Sequence, residues 1–510
     1  MNDNKVIIKN AIFLYVRMIF VIFLTLLTIR YLYQVLGVEN YGLFNLVAGF
    51  IVIFSFINNA MRNGTQRYLN VAYAQKKINL VQQTFSIAFY IHFIIGVIIV
   101  LLAEIFGLYI LNNILNISEN KMKDANIIFH LAVLSTFFMI ISVPYQALLI
   151  AQQRMAIFAY VGIVDAILKF FIVLLLLLFD NNLLVLYSIF YCGVSLLVFF
   201  IYFLLMRGDN AISYRRNENK ILRLDILGFS GWNILGQLSA VSSNQGNMLV
   251  FNLFYGLIIN ASYAVGQQVH MLLGNLISNL QTAFNPQIIE TYHNNEIDRH
   301  AKLVLNSSRY SLYLVLLIII PFIFYSEFIL KLWLGETLPI YIEYIINSIL
   351  FISIFESLSG PFWMSAHARG NIRNYQLVIS LVLILNVPLS YLMIDYTNNI
   401  SYALMCNVLL FIIAYLYRLR YFFIGIDSKS IDIYLYFRNI MLLISLSVTF
   451  FFLKKLDLFF VKNLYEFIIN MIIIYFLYIV FLLFFCLPKA EINIVYVKLL
   501  NIFNKGRKNV

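Results

Sequence analysis

"GFSGWNILGQLSAVSSNQGNMLVF", residues 228–251, has the length of a membrane span, yet nine of its side chains are amides or hydroxyls. They are Ser230, Asn233, Gln237, Ser239, Ser242, Ser243, Asn244, Gln245 and Asn247. Around it lie runs that are almost wholly apolar, such as "FIVLLLLLF" (171–179) and "FIINMIIIYFLYIVFLLFFCL" (467–487). A bilayer's hydrocarbon core takes about 20 helical residues to cross. Hydrophobic residues make up 62% of the 510-residue chain and charged residues 11%, against about 45–50% and 25% in a soluble domain. The chain therefore reads as a polytopic helical membrane protein, and the polar stretch as a span with a task.

About fourteen spans follow from the apolar runs, near 11–33, 41–66, 84–111, 126–150, 156–179, 183–206, 227–254, 261–288, 305–330, 341–366, 375–394, 400–423, 438–455 and 464–487. Arg17 interrupts the first run and no small-x-small site follows it, so no cleavable signal peptide is expected. Placing the N-terminus in the cytoplasm puts 24 of the 35 basic residues on the inside and 7 on the outside, with four within spans. Both termini are then cytoplasmic. The net charge of +12 is accounted for by this asymmetry and gives no reason to invoke nucleic acid. Cys192, Cys406 and Cys486 all fall inside spans, which argues against a disulfide framework or a metal site.

The longest polar segment, 207–225, carries five basic residues and follows the sixth span. It divides the chain into a first lobe (1–206), a cytoplasmic linker (207–225), a second lobe (226–423), two further spans (424–487) and a basic tail (488–510). The lobes repeat weakly. A shift of 222 residues lays 41–68 on 263–290, matching Tyr41 to Tyr263 and Asn63-Gly64 to Asn285-Pro286. Pro144 and Pro361 are each followed by an aromatic residue and, seven positions on, by Ala. Two parallel six-helix repeats are a transporter arrangement.

The polar residues of the opening stretch have helical spacing. Ser230, Asn233, Gln237, Asn244 and Asn247 share one face, and Gly236, Ser239, Ser243 and Gly246 another. Span eight repeats the theme with Gln267, His270, Gln281 and Asn285, and span two with Asn58 and Arg62. Small faces pack helices closely, and amides can bond across an interface. The small face is assigned to packing, and the amide face to a water-filled cavity, with interhelical bonding the alternative. Charges in spans are costly and mark candidate sites. Arg17 and Arg62 lie about 6–9 Å below the cytoplasmic edge at 1.5 Å per residue, where cargo binding and snorkelling are both open. Arg30, Arg67, Arg154 and Arg309 sit nearer the edges and suit snorkelling. Asp165 and Lys169 form an i, i+4 pair, and Glu356 has no partner within its own helix.

These stretches carry a resemblance. "RYLYQVLGVENYGLFNLVAGF" (30–50), "NNAMRNGTQRYLN" (58–70), "VPYQALLIAQQRMAIFAY" (143–160) and "GWNILGQLSAVSSNQGNMLVFNLFYGLIINASYAVGQQV" (231–269) with "NLQTAFNPQIIETY" (279–292) resemble the Wzx-type O-antigen flippases. That family belongs to the multidrug/oligosaccharidyl-lipid/polysaccharide (MOP) exporter superfamily. The resemblance implies an all-α integral membrane fold of two pseudo-symmetric six-helix lobes plus two C-terminal helices. It implies a flippase of the bacterial inner membrane, not an enzyme, that moves undecaprenyl-pyrophosphate-linked oligosaccharide to the periplasmic face by alternating access. The expected partners are that lipid-linked sugar, membrane lipids, a polysaccharide polymerase and a chain-length regulator. No cofactor is expected beyond proton or sodium gradient coupling, for which Glu356 and Asp165 are the candidates. Arg17, Arg30, Arg62 and Arg67 are the candidate cavity cations. Asn58, Asn233, Gln237, Asn244, Asn247, Gln267, His270, Gln281 and Asn285 are the candidate sugar-facing residues. An ion-coupled multidrug exporter of the same superfamily is the alternative. An enzyme that works on lipid-linked sugars would carry a large outer loop with catalytic charges, and the longest outer loop here lies near 112–124.

Overall fold

The computed structural model describes residues 2–52, 77–152, 154–214, 219–370, 372–426 and 463–488, together with positions within 61–75 and 436–442 and residue 461. Every regular element among the described residues is helical. In chain order these are α1 (Asn2–Val52), α2 (Ile78–Asn113), α3 (Glu119–Ala151), α4 (Met155–Leu176), α5 (Leu183–Met206) and α6 (Lys220–Tyr255). There follow α7 (Leu257–His293), α8 (Ile297–Leu334), α9 (Ile342–Ala368), α10 (Arg373–Thr397), α11 (Ile400–Ile424) and α12 (Leu464–Cys486). Ten stretches among the described residues are long and apolar enough to cross a membrane. The chain is a multi-pass, all-α membrane protein. Helix α7, at 37 residues, is long enough but is not one of the ten, because its amides dilute the apolar run. Most of span thirteen and most of the second half of span two lie outside the described residues.

The breaks follow from residue chemistry. Gly37, at φ 75° and ψ 169°, turns α1 between spans one and two. Gly256, at φ 70°, separates α6 from α7. Pro388 supplies no N–H to the turn before it, and α10 is interrupted at Leu385.

Chain contacts divide the protein into two compact units: residues 1–269, 331–348 and 376–410, and residues 270–330, 349–375 and 411–510. In the first unit, Phe85, Tyr145, Leu148, Tyr202 and Met206 form a fully apolar core between α2, α3 and α5. The start of the expected linker is docked on this core. Asp209 accepts hydrogen bonds from Gln152 (2.9 Å) and Arg154 (3.1 Å), the Tyr214 and Tyr145 hydroxyls are 2.9 Å apart, and Tyr90 donates to the Tyr214 carbonyl at 2.6 Å. Arg154 is thus paired to a carboxylate and does not snorkel. Helix α6 begins at Lys220, inside the segment read as linker.

The small face of α6 packs on α10. A Cβ on Gly246 would lie 2.5 Å from Val387 Cγ2, and one turn earlier Asn386 donates to Ser243 Oγ at 2.6 Å. Ser390 then donates to Asn407 of α11 at 3.0 Å.

In the second unit, α12 lies on α8, with Tyr478 donating to the Tyr313 carbonyl at 2.9 Å and Phe467 4.9 Å from Phe328. His300, fully buried, ties three helix ends together through Ser365 Oγ (2.8 Å) and the Ile288 carbonyl (2.9 Å). Arg309 is buried with its guanidinium over the Tyr310 and Tyr313 rings, so it does not reach a headgroup as expected.

Gly246→Leu forces a side chain into Val387 and should cost about 1–3 kcal/mol, as overpacked cores do. Its thermal midpoint in detergent should fall, and Gly246→Leu/Val387→Ala should regain part of the loss. An unchanged midpoint in the single variant would show that this seam is not closely packed.

Candidate functional site

The amide stripes are divided between the two units. In the first unit, Asn247 is buried, and Asn247 and Gln267 both lie within hydrogen-bonding reach of the Tyr263 hydroxyl. Asn244, Gln267 and Gln268 are half-buried, as are Arg30 and Arg62. Asn58 and Arg67 lie outside the described residues, as do the side chains of Arg17, Asn233 and Gln237. Lys169 donates to Asp165 at 2.8 Å on α4, and its ammonium lies 5.1 Å from the centre of the Tyr191 ring. Asp165, a coupling candidate, therefore carries its own counter-charge.

In the second unit the structure joins two residues that sequence reading held apart. His270 Nε2 and Glu356 Oε2 are 2.5 Å apart, linking α7 to α9. The carboxylate without an in-helix partner has one 86 residues away. Arg418 of α11 adds a positive charge within electrostatic reach of Glu356. That arginine lies within span twelve and was not singled out from the sequence, although a base inside an apolar run was the available signal.

Gln281 has a different position from its stripe neighbours. Pro361 of α9 has no N–H to donate to the carbonyl four residues earlier, which belongs to Ser357. Gln281 Nε2 donates to that carbonyl at 3.0 Å and to Ser311 Oγ at 3.1 Å. Its carboxamide lies so close over Gly360 that a Cβ there would overlap it. Proline opens the helix ladder, glycine makes room, and the amide of α7 restores the lost bond. Asn285, one turn beyond, is half-buried.

A further pair was passed over in the sequence. Glu104 sits in a π-helical turn, Ala103–Gly107, and lies 3.0 Å from His130 Nδ1 of α3. Each in-span acid named here, Glu104, Asp165 and Glu356, thus faces a basic or imidazole nitrogen.

No family model matches the chain, and no curated protein matches it. Solved structures do. The lipid II flippase MurJ in an inward closed conformation superposes with a TM-score of 0.66 at 16% identity, covering 93% of this chain and 98% of its own. An inward-facing multidrug resistance transporter of the MATE family, in the MOP superfamily, gives 0.63 at 14% identity, covering 80% and 96%. A MOP-superfamily transporter from Pyrococcus furiosus, described by the reverse polarity of its binding pocket, gives 0.61 at 13%, covering 82% and 95%. The chain has the fold of MOP-superfamily transporters. These neighbours are transporters and a flippase.

The kink site gives a stability prediction. Gln281→Ala leaves the Ser357 carbonyl without its donor, which should cost about 1–3 kcal/mol for an unsatisfied buried polar group. Asn285→Ala, on the same helix with no such bond, should cost less. Urea or thermal unfolding of the purified protein in detergent measures both, and equal small losses would remove the kink role from Gln281.

Proposed function

We propose that the protein is a flippase for lipid-linked oligosaccharides, most simply an undecaprenyl-pyrophosphate-linked repeat unit of a surface polysaccharide. The observation that carries this reading is the extent of the structural likeness. The match to the lipid II flippase leaves uncovered fewer residues than segment 424–487 contains, so it reaches into the region of the two additional spans. The matches to the MATE transporter and the Pyrococcus protein leave far more of the chain unmatched.

The chemistry of the candidate residues agrees with such a cargo. A sugar headgroup requires many hydrogen bonds, and Asn244, Gln267 and Gln268 are amides left half-buried in a span. A pyrophosphate suits guanidinium, whose fork matches its oxygens two at a time, and Arg17 and Arg62 are the proposed ligands. The in-span acids named above are matched to bases, so they do not oppose an anion. The lipid tail can remain in the bilayer. In this reading both termini are cytoplasmic, the residues 1–206 and 226–423 act as lobes, and Glu356 with His270 is the site where gradient coupling would be sought. A multidrug exporter would be expected to keep an unpaired acid for its cationic cargo.

Complementation of a flippase-null strain tests the reading, scored by the surface glycan ladder alongside membrane abundance. Wild type should restore the ladder. Arg17→Ala and Arg62→Ala should each lower it about tenfold or more, while Arg→Lys keeps part of it by retaining charge without the bidentate geometry. If both residues only snorkel, Ala and Lys variants will be equally mild. A wild-type ladder from the double Ala variant would overturn the pyrophosphate assignment, and no ladder from wild type in any glycan background would overturn the flippase reading.

A further inference from the structure

The first unit contains a seam unlike the rest of it. Within residues 1–206, the Phe85–Tyr145 core joins helices through apolar and aromatic side chains, and Glu104–His130 joins α2 to α3 through polar ones. Where elements before residue 207 meet elements after residue 219, Met61, Ile87 and Ile91 pack on Ile226 near the start of α6, whereas at the α6–α7 junction polar side chains bond to backbone. Asn252, fully buried near the end of α6, grips the loop after α2 at two points. Its Oδ1 accepts the Asn116 N–H at 2.9 Å, and its Nδ2 faces the Asn116 carbonyl at 3.4 Å. The same Nδ2 donates to Asn260 Oδ1 at 3.2 Å, and Asn260 donates to the Met248 carbonyl at 3.0 Å. The turn at Gly256 brings the two asparagines together across the α6–α7 junction.

Four further contacts lie on the same seam. A Cβ on Gly42 of α1 would overlap the Leu257 carbonyl oxygen, so helix and junction touch backbone to backbone. Along α1, Trp333 donates to the Leu26 carbonyl at 3.0 Å, Tyr33 to the Thr337 carbonyl at 3.0 Å, and Gln34 to the Leu334 carbonyl at 3.2 Å. The Leu334 carbonyl closes α8 and has no intrahelical donor. Water can replace a side chain there when the elements part, whereas an interdigitated apolar core has no such substitute.

We infer that this seam is a gate, and that the Asn116–Asn252–Asn260 amide chain is its latch. The inference rests on the transport reading and on the orientation that places residues 33–42, 116, 252–260 and 334–340 on the outer side. The closed seam blocks the outer exit. Release of cargo requires Asn252 to let go of the Asn116 peptide and both to be hydrated. The latch is selective in what it breaks, because Asn260 keeps its bond to Met248 within the same helical pair and stays ready to recapture Asn252.

Two measurements test it, in a background where Cys192, Cys406 and Cys486 are Ser. In the first, Asn116→Cys/Asn252→Cys is bridged with a short bifunctional thiol reagent and export is followed by the glycan ladder. Bridged protein should stop exporting, and reductant should restore export. In the second, Asn244→Cys is labelled in spheroplasts by a membrane-impermeant maleimide, with and without Asn252→Leu. Loss of the latch should raise the labelling rate about tenfold, the population shift worth roughly one net hydrogen bond. Export at the normal rate by fully bridged protein would overturn the latch, and so would an unchanged labelling rate in an Asn252→Leu variant present at normal abundance. The labelling arm needs no cargo. If the ladder never appears even with wild type while labelling rises, the cargo assignment fails and the latch stands.

Discussion

In hydrocarbon there is no water to satisfy an amide, so each polar group in a span must find a partner in the protein or line a wet surface. That constraint sorts the polar residues of this chain. Ser243 and Asn386 bond to one another and fix α6 on α10. Gln281 is committed to the carbonyl that Pro361 leaves bare. Asn252 and Asn260 are fully buried and engaged with backbone. Asn244, Gln268 and Asn285 remain half-buried. A polar residue in a span is thus not one kind of signal but two, and only the partner tells them apart.

The fold class was legible because hydrophobic runs of about 20 residues carry it locally. The packing role of Ser243 and Gly246 was legible too, since small residues at helical spacing permit close approach whatever lies opposite. The Asp165–Lys169 pair needed only the i, i+4 rule. What the sequence did not reveal depends on residues far along the chain. His270 meets Glu356 86 positions away, and Gln281 meets Ser357 76 positions away. Helical periodicity placed His270 and Gln281 on one face of span eight but could not say what that face meets. Arg309 was misplaced for a related reason: depth along a helix suggested a headgroup, and two tyrosine rings on its own helix hold it inside.

Prolines and glycines connect these levels. Pro361 shares with Pro144 a following aromatic residue and an Ala seven positions on, a likeness visible in sequence. Its consequence is a freed carbonyl, and that carbonyl selects an amide on the neighbouring helix. Without the proline, Gln281 would be a redundant donor in a spent ladder. Without Gly360 its carboxamide would not fit. One backbone irregularity therefore explains three side chains, and it does so beside Glu356, whose carboxylate leaves the same kinked segment of α9 for His270.

The charges complete the sorting. A lone carboxylate in a span would both cost free energy and repel an anionic headgroup. Here Asp165 is matched by Lys169 one turn away, Glu104 by His130 on the next helix, and Glu356 by His270 with Arg418 nearby. Matching of this kind keeps the acids and leaves the field of the spans near neutral or positive. An anionic headgroup therefore meets no unmatched carboxylate among those three. A positively charged drug would find each of these three acids already facing a basic or imidazole nitrogen.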